Sequence, residues 1–336
     1  MGRIPHVRRL TIFVVTPARR GSHKGNRVTA IRWAGHLRAL GHRVALAEGW
    51  DGQRCDLLVA LHATKSHASV VRYRERRPDA PLVVGLAGTD LYQDLPASPE
   101  ARRSLELATR LTVLQPLGIE ALPPAVRHKV RTIFQSAHPV RPQPAEDGTL
   151  RVCLLAHIRE VKDAFLGAEA VRRLPPRSRV QLVHLGAALD AGADARARRE
   201  MEGNPRYRWL GERRRSEALA TLAGSALLVV TSRLEGGSNA VSEALASGVP
   251  VLSTRIAGSI GVLGPDYPGF FPVGDAGALA ELLRRAEEDA AFLAALRAGV
   301  ERVRPLVAPE REREAWRALL AELVPGKPGD AQPNRR

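Results

Sequence analysis

The sequence predicts an α/β protein built from two Rossmann-like domains that face each other across a cleft. Three observations carry this. Short apolar runs alternate with helical segments along nearly all of the 336 residues. The runs are almost continuously apolar, as strands of a parallel sheet covered on both faces are. A polar stretch at 141–149, RPQPAEDGT, interrupts the alternation once, in the manner of a linker. The length also favours two domains of ordinary size, each able to bury its own core.

In the first half, residues 10–15, 56–61, 81–86 and 110–114 read as strands, with weaker candidates at 44–47 and 130–134. Helical segments lie at 27–40 and 66–76. In the first of these, Val28, Ile31, Ala34, Leu37 and Leu40 recur at helical spacing, and Gly41 stops the helix. The second half predicts strands at 151–156, 180–185, 227–231 and 250–253. Its helices are expected at 163–174, 216–223 and 239–247. The expected domains are therefore 1–141 and 150–305. A terminal helix at 309–323, within a 306–325 segment, is expected to pack back on the first domain. Residues 326–336 are polar and rich in Pro and Gly, and are expected to be disordered.

Composition narrows the function classes. An apolar fraction of 44% excludes a disordered chain. No apolar run approaches the ~20 residues that span a bilayer. The run at 10–15 is too short for a signal peptide and is followed at once by Pro17. A cytoplasmic protein without a membrane partner is expected. Cys55 and Cys153 lie in or beside apolar runs, with no partner at metal-ligand spacing, so both read as buried thiols. The net charge of +16 invites a nucleic-acid partner. However, only five of the 51 basic residues are lysines (Lys24, Lys65, Lys129, Lys162 and Lys327), which points to a compositional preference for arginine. Aromatic residues, at 4%, are too sparse for base-stacking platforms. The surplus serves small anionic substrates equally well. No nucleic-acid partner is expected, and a basic nucleic-acid-binding protein is kept as an alternative.

The strongest local signal is residues 231–250, TSRLEGGSNAVSEALASGVP. A strand ends near Thr231, a glycine-bearing loop follows, and a helix starts near Ser238 or Asn239, both good N-caps. Free N–H groups and the dipole at such a start attract phosphate. Gly236 and Gly237 let the backbone approach an anion closely. Glu235 precedes the helix and Glu243 lies about one turn into it. Each carboxylate can accept two hydroxyl hydrogen bonds, which suits a sugar diol. Taken alone, the two glutamates also read as a solvated loop and helix pair.

This segment resembles the E-x7-E motif of GT-B glycosyltransferases of family 4, and the second half resembles their donor domain. The resemblance implies that Glu235 lies by the donor sugar and Glu243 contacts the nucleotide ribose. It makes the 150–305 domain the nucleotide-sugar-binding half and 1–141 the acceptor-binding half. The family places an Arg and a Lys on the diphosphate after the first strand of this domain. Lys162 matches the Lys. His157 stands where the Arg would be, which makes Arg159 the expected replacement; both cations otherwise read as a solvated helix start. There is no DxD pair, and Arg, Lys and helix N-termini can meet phosphate charge without one. No metal and no cofactor are expected.

In the first half, residues 16–27, TPARRGSHKGNR, form a basic glycine loop at a helix start. Gly25, Asn26 and Arg27 could seat an anionic acceptor there; the loop otherwise reads as flexible basic surface. His62 ends one strand, and Thr89 and Asp90 follow another, so all three belong to strand carboxyl ends. His62 reads as a general base, a sugar-hydroxyl partner or a structural histidine. Asp90 reads as acceptor-binding or as the cap of a turn.

Four stretches carry a sharper resemblance: GNRVTAIRWAGHLRALGHRV, LVALHATKS, LAGTDLY and GPDYPGFFPVGD. Together they look like the selenosugar synthases of selenoneine biosynthesis, across most of the chain. That resemblance implies a UDP-sugar donor carrying N-acetylglucosamine or glucose, and selenophosphate as acceptor. Selenium would attack the anomeric carbon, UDP would leave, and phosphate would later be lost. A selenium nucleophile is already ionised near neutral pH, so His62 would orient substrate rather than deprotonate it. The alternative is an ordinary family 4 transferase with a hydroxyl acceptor.

Overall fold

A computed structural model of the chain describes residues 8–22, 24–145 and 148–324. The tail expected at 326–336 lies outside these residues, as do His23 and two positions of the expected linker. The described residues divide into two compact units. One holds the residues up to Ile133 together with those from Glu310 onward, and the other runs from Phe134 to Pro309.

The first unit contains, in chain order, β1 (Thr11–Val15), α1 (Gly25–Ala39), β2 (Arg43–Ala47), β3 (Leu57–Leu61), α2 (His67–Arg76), β4 (Leu82–Gly85), α3 (Pro99–Leu107), β5 (Arg110–Val113) and β6 (Val130–Thr132). All six strands are parallel, in the order β2-β1-β3-β4-β5-β6. Successive side chains of a strand point to opposite faces, and here both faces are covered. Phe13, Val15, Leu58, Ala60, Leu82 and Val84 enter one core layer. Ile12, Val14, Leu57, Val59, Leu61 and Val83 enter the other, with Trp33 and Leu37 of α1. That is why the runs contain no polar alternation. Helix α1 begins at Gly25, two positions before the expected start, because Lys24 serves as its N-cap.

The second unit contains β7 (Leu150–Leu155), α4 (Phe165–Arg172), β8 (Val180–Leu185), α5 (Ala193–Gly203), β9 (Tyr207–Trp209), α6 (Arg215–Ala223), β10 (Leu227–Val230), α7 (Asn239–Ala246), β11 (Val251–Thr254), α8 (Ala257–Leu263), β12 (Phe270–Phe271), α9 (Ala276–Glu288) and α10 (Ala290–Val303). Its parallel strands run β12-β11-β10-β7-β8-β9. The chain's direction of travel across the sheet therefore reverses between β7 and β10. Two short edge strands, β9 and β12, escape the sequence reading because three and two residues carry no periodicity. The units divide before residue 134, not within the proline-rich stretch. The Gln135 side-chain amide donates to the Gly237 carbonyl (2.6 Å) and the Ala137 N–H to Val307 (3.0 Å), which ties 134–137 to the second unit. Helix α4 is shorter than expected, since Asp163 adopts a left-handed φ of 43° and interrupts the run.

The last helix, α11 (Pro309–Leu323), belongs to the first unit. Trp316, Leu319 and Leu320 join the Trp33 and Leu37 layer, and the two indoles meet edge to face at 5.1 Å. Glu312 is fully buried beside them. It accepts from Arg32 Nε at 3.0 Å and lies 3.2 Å from His36 Nε2, so α1 supplies cationic and imidazole partners for it. Among the described residues, no helix is long and apolar enough to cross a membrane.

Trp316→Ala should remove roughly 3–5 kcal/mol of stability, the usual cost of emptying a large aromatic site. Urea unfolding followed by tryptophan fluorescence measures it. A loss below about 1 kcal/mol would mean that α11 does not seal this core.

Candidate active site

In open parallel sheets, ligands bind beyond the carboxyl ends of the strands, where strand order reverses. In the second unit that point is the pair of loops after β7 and β10. Hydrogen bonds stitch the two loops together. Thr231 Oγ1 donates to the Lys162 carbonyl (2.7 Å), and the Arg233 N–H to that of Val161 (2.9 Å). Arg233 also pairs with Asp163 at 2.9 Å. The stitching brings Lys162 Nζ into an ion pair with Glu235 Oε1. Ser232 Oγ donates to the same carboxylate oxygen at 2.8 Å. Helix α8 presses on the loop from above: a Cβ at Gly258 would stand 2.1 Å from the Glu235 carbonyl oxygen, so only glycine fits.

Helix α7 starts directly after this loop. Ser238 is its N-cap and accepts from the Val241 N–H at 3.5 Å, and its first turn holds no acidic residue. Gly236 and Gly237 form the approach, and Asn239 is the first helical residue. Glu243 sits one turn in, with a side chain only 8% exposed, and pairs with Arg215, the first residue of α6. The structure thus places each of the two glutamates against a cation at the same end of the sheet.

Behind the site, the tip of β7 is held rigidly. His184 Nε2 donates to the Ala156 carbonyl (2.9 Å) and its Nδ1 accepts from the Tyr207 hydroxyl (2.8 Å). The Ala187 N–H donates to His157 Nδ1 at 3.0 Å, and Trp209 Nε1 to the Gly186 carbonyl at 2.9 Å. Gly186 has a φ of 154°, and a Cβ there would meet the Ala156 oxygen at 1.9 Å. Burial lowers the His184 pKa to about 4, so the ring is neutral.

Arg159 is tied to the same loop by its carbonyl, which accepts from the Lys162 N–H at 2.9 Å. It lines a cavity of about 320 Å³ with Arg196, Arg233, Asp163 and Asp190, floored by Phe165, and neither Lys162 nor Glu235 lines that cavity. Arg159 also precedes a short 3-10 turn (Glu160–Lys162), with α4 beginning only at Phe165. The alternative reading of Arg159 as a solvated α-helix start therefore does not describe it. Burial pushes the Cys153 thiol up to about 12, and both cysteines are free and buried.

In the first unit, Gly25, Asn26 and Arg27 open α1. Its first turn carries no acidic side chain, and Lys24 caps it without a side-chain hydrogen bond. Thr16 Oγ1 donates to the Asn26 carbonyl at 3.3 Å. Arg27 Nε and Ser22 Oγ are buried atoms with no hydrogen-bond partner among the described residues.

His62 follows β3 with a φ of 79°, in the left-handed region that non-glycine residues rarely occupy. Its ring is fully buried. Nδ1 accepts from the Lys65 N–H (3.3 Å), so Nε2 carries the proton and donates to Thr89 Oγ1 (3.2 Å). Asp94 Oδ2 lies 3.9 Å from the same nitrogen and is a quarter exposed. Asp90 is fully buried. It accepts from the Ala63 and Ala87 N–H groups at 3.0 and 2.8 Å, which makes it a strut between two strand tips. Burial holds the His62 ring below the usual histidine range and pushes Asp90 above the usual carboxylate range, each partly opposed by the other. The stretch Asp90–Asp94 is a single π-helical turn, a form often found at functional sites.

Sequence reasoning missed Arg215, Ser232, Arg233 and Asp94. The run Glu212–Arg215, ERRR before a helix, was the available signal for the first. Among the described residues, no group of three or more His, Cys, Asp or Glu side chains could hold a metal ion.

Two doubly wound parallel sheets in one chain, the second carrying this loop and helix, define the GT-B fold. Residues 140–301, within the second unit, match the profile of the family described as glycosyl transferases group 1. The structure is similar to Anabaena HepE in complex with UDP-glucose, with a TM-score of 0.76, 16% identity, and coverage of 94% of this chain and 100% of that one. Sucrose-phosphate synthase of Thermosynechococcus elongatus gives 0.75, 18%, 94% and 99%. The pneumococcal O-GlcNAc transferase GtfA, in complex with UDP and GlcNAc, gives 0.64, 13%, 80% and 57%.

A histidine that folds neutral costs stability once the unfolded chain can protonate it. His184 has no effect above the usual value of 6.5. Stability should then fall as pH drops through the window down to about 4. NMR of the histidine rings should show His184 untitrated at pH 5. Protonation of His184 near pH 6.5 would contradict the buried network.

Proposed function

We propose that this chain is a glycosyltransferase that takes glucose or N-acetylglucosamine from a UDP-sugar held by its second unit and passes it to selenophosphate. One observation carries the donor half. Two buried carboxylates, each ion-paired with a cation, flank the capped start of α7 at the point where strand order reverses. Lys162 and the positive end of α7 suit a diphosphate. Glu235 suits the hydroxyls of the sugar, and Glu243 those of the ribose. The UDP-glucose complex of HepE, a protein of the same fold, supports this reading.

The acceptor half rests on the start of α1. Lys24, Arg27 and the uncompensated helix dipole make a positive site, and the Arg27 Nε–H has no protein acceptor among the described residues. A small phosphorylated nucleophile fits that chemistry. In the reaction, the anomeric carbon loses its bond to the UDP oxygen and gains one to selenium. UDP carries away the electron pair, and water then cleaves the Se–P bond to release phosphate. No general base is required, because the nucleophile arrives ionised.

A second reading, transfer to a hydroxyl, is favoured by one specific observation. Asp94 lies 3.9 Å from a protonated His62 Nε2 and is partly exposed, as a base for a neutral acceptor would be.

Purified protein with UDP-N-acetylglucosamine and freshly made selenophosphate should give a sugar product with the selenium isotope pattern, matched by UDP release. Phosphate and thiophosphate are the controls. Glu235→Gln should abolish turnover. Arg27→Ala should lower it by about tenfold or more while UDP binding is kept, the scale of one charge-assisted hydrogen bond. UDP binding without any selenosugar would leave the donor reading standing and move the acceptor to a hydroxyl compound.

A further inference from the structure

Helix α6 opens with Arg215, following Arg213 and Arg214. Cations at a helix N-terminus oppose the dipole, so one placed there needs a compensating partner. That partner is Glu243, whose side chain is 8% exposed on α7, whereas Arg215 itself is 49% exposed. A carboxylate removed from water to that degree needs a cation to remain ionised, and it loses rotamer freedom when one holds it. The cation here comes from a different helix and reaches Glu243 from the solvent side. The arrangement parallels the Lys162–Glu235 pair, in which a loop cation holds the other carboxylate.

We propose that Arg215 is a positioning residue for nucleotide recognition: it fixes the Glu243 carboxylate in the geometry that accepts hydrogen bonds from the ribose of a nucleoside diphosphate. This rests on the donor reading above. Arg215 does not contact the ribose. It acts through Glu243, and so it governs how well the site tells a ribose from a sugar ring lacking one hydroxyl. A ribose hydroxyl bound to an ionised, well-placed carboxylate is a charge-assisted contact. Loss of the 2′-hydroxyl then costs affinity only while the carboxylate is held.

Calorimetric titration of the full chain with UDP and with 2′-deoxy-UDP tests this. Wild type should prefer UDP by about tenfold or more. Glu243→Gln and Arg215→Gln should each bring that preference close to unity, chiefly by weakening UDP, and Arg215→Lys should restore part of it. Thermal unfolding of Arg215→Gln should remain a single cooperative transition, which shows that a changed preference comes from a folded protein. A role in phosphate contact alone would weaken both nucleotides equally in Arg215→Gln and leave the preference intact, which would overturn the proposal. So would an unchanged profile. A wild type that binds neither nucleotide would overturn the donor reading itself, a result distinct from either of these.

Discussion

A carboxylate taken out of water must be met by a cation or by hydrogen-bond donors, and much of the second unit's active end follows from that requirement. Glu235 and Glu243 are both largely buried. Burying either without a partner would be costly. Lys162 is brought to Glu235 only because the β7 and β10 loops are hydrogen-bonded to each other through Thr231 and Arg233. Arg215 reaches Glu243 only because α6 begins beside α7. The glycines serve the same end: Gly258 admits α8 against the Glu235 backbone, and Gly186 lets β8 close on the tip of β7. Loops, glycines and cations together make one rigid seat for two negative charges.

The first unit solves a different problem at its own strand tips. His62 is held in a left-handed backbone conformation, and Asp163 in the second unit shares that feature; they are the two non-glycine residues with positive φ among those described. Such conformations cost of order 1–3 kcal/mol each and persist where surrounding contacts over-determine them. At His62 those contacts are Asp90, Thr89 and the Lys65 N–H, which join the tips of β3 and β4. The buried histidine acts through what it holds in place, and the side chain left partly open next to it is Asp94.

Much of this was legible in the sequence, for reasons that differ by residue. Both sheets announced themselves because parallel strands buried on two faces cannot hide their apolar runs. The α7 start was readable from Thr231 to Glu243, since Gly-Gly-Ser-Asn supplies both the loop and the cap. Strand β9 and the pair Phe270–Phe271 were not readable, being too short to show a period. Arg215 was hidden by its company: the ERRR run before α6 marks the place, but which of its three arginines meets Glu243 is decided by tertiary contact. Arg159 was singled out only through the resemblance; the structure adds that it lines a hollow with Arg196 and Arg233, two arginines that no local motif marks.

The chain enters the first unit, leaves it for the second, and comes back with α11. Until that helix is synthesised, the face of the first sheet carrying Trp33 and Leu37 has no Trp316, Leu319 or Leu320 against it. Throughout translation of the whole second unit, the ribosome therefore holds an earlier domain with part of its core uncovered and with Arg32 and His36 lacking the carboxylate of Glu312. The second unit is one continuous stretch and is complete once the chain up to Pro309 has emerged. The order of completion is thus the reverse of the order of synthesis: the unit begun first is the one whose core is closed last.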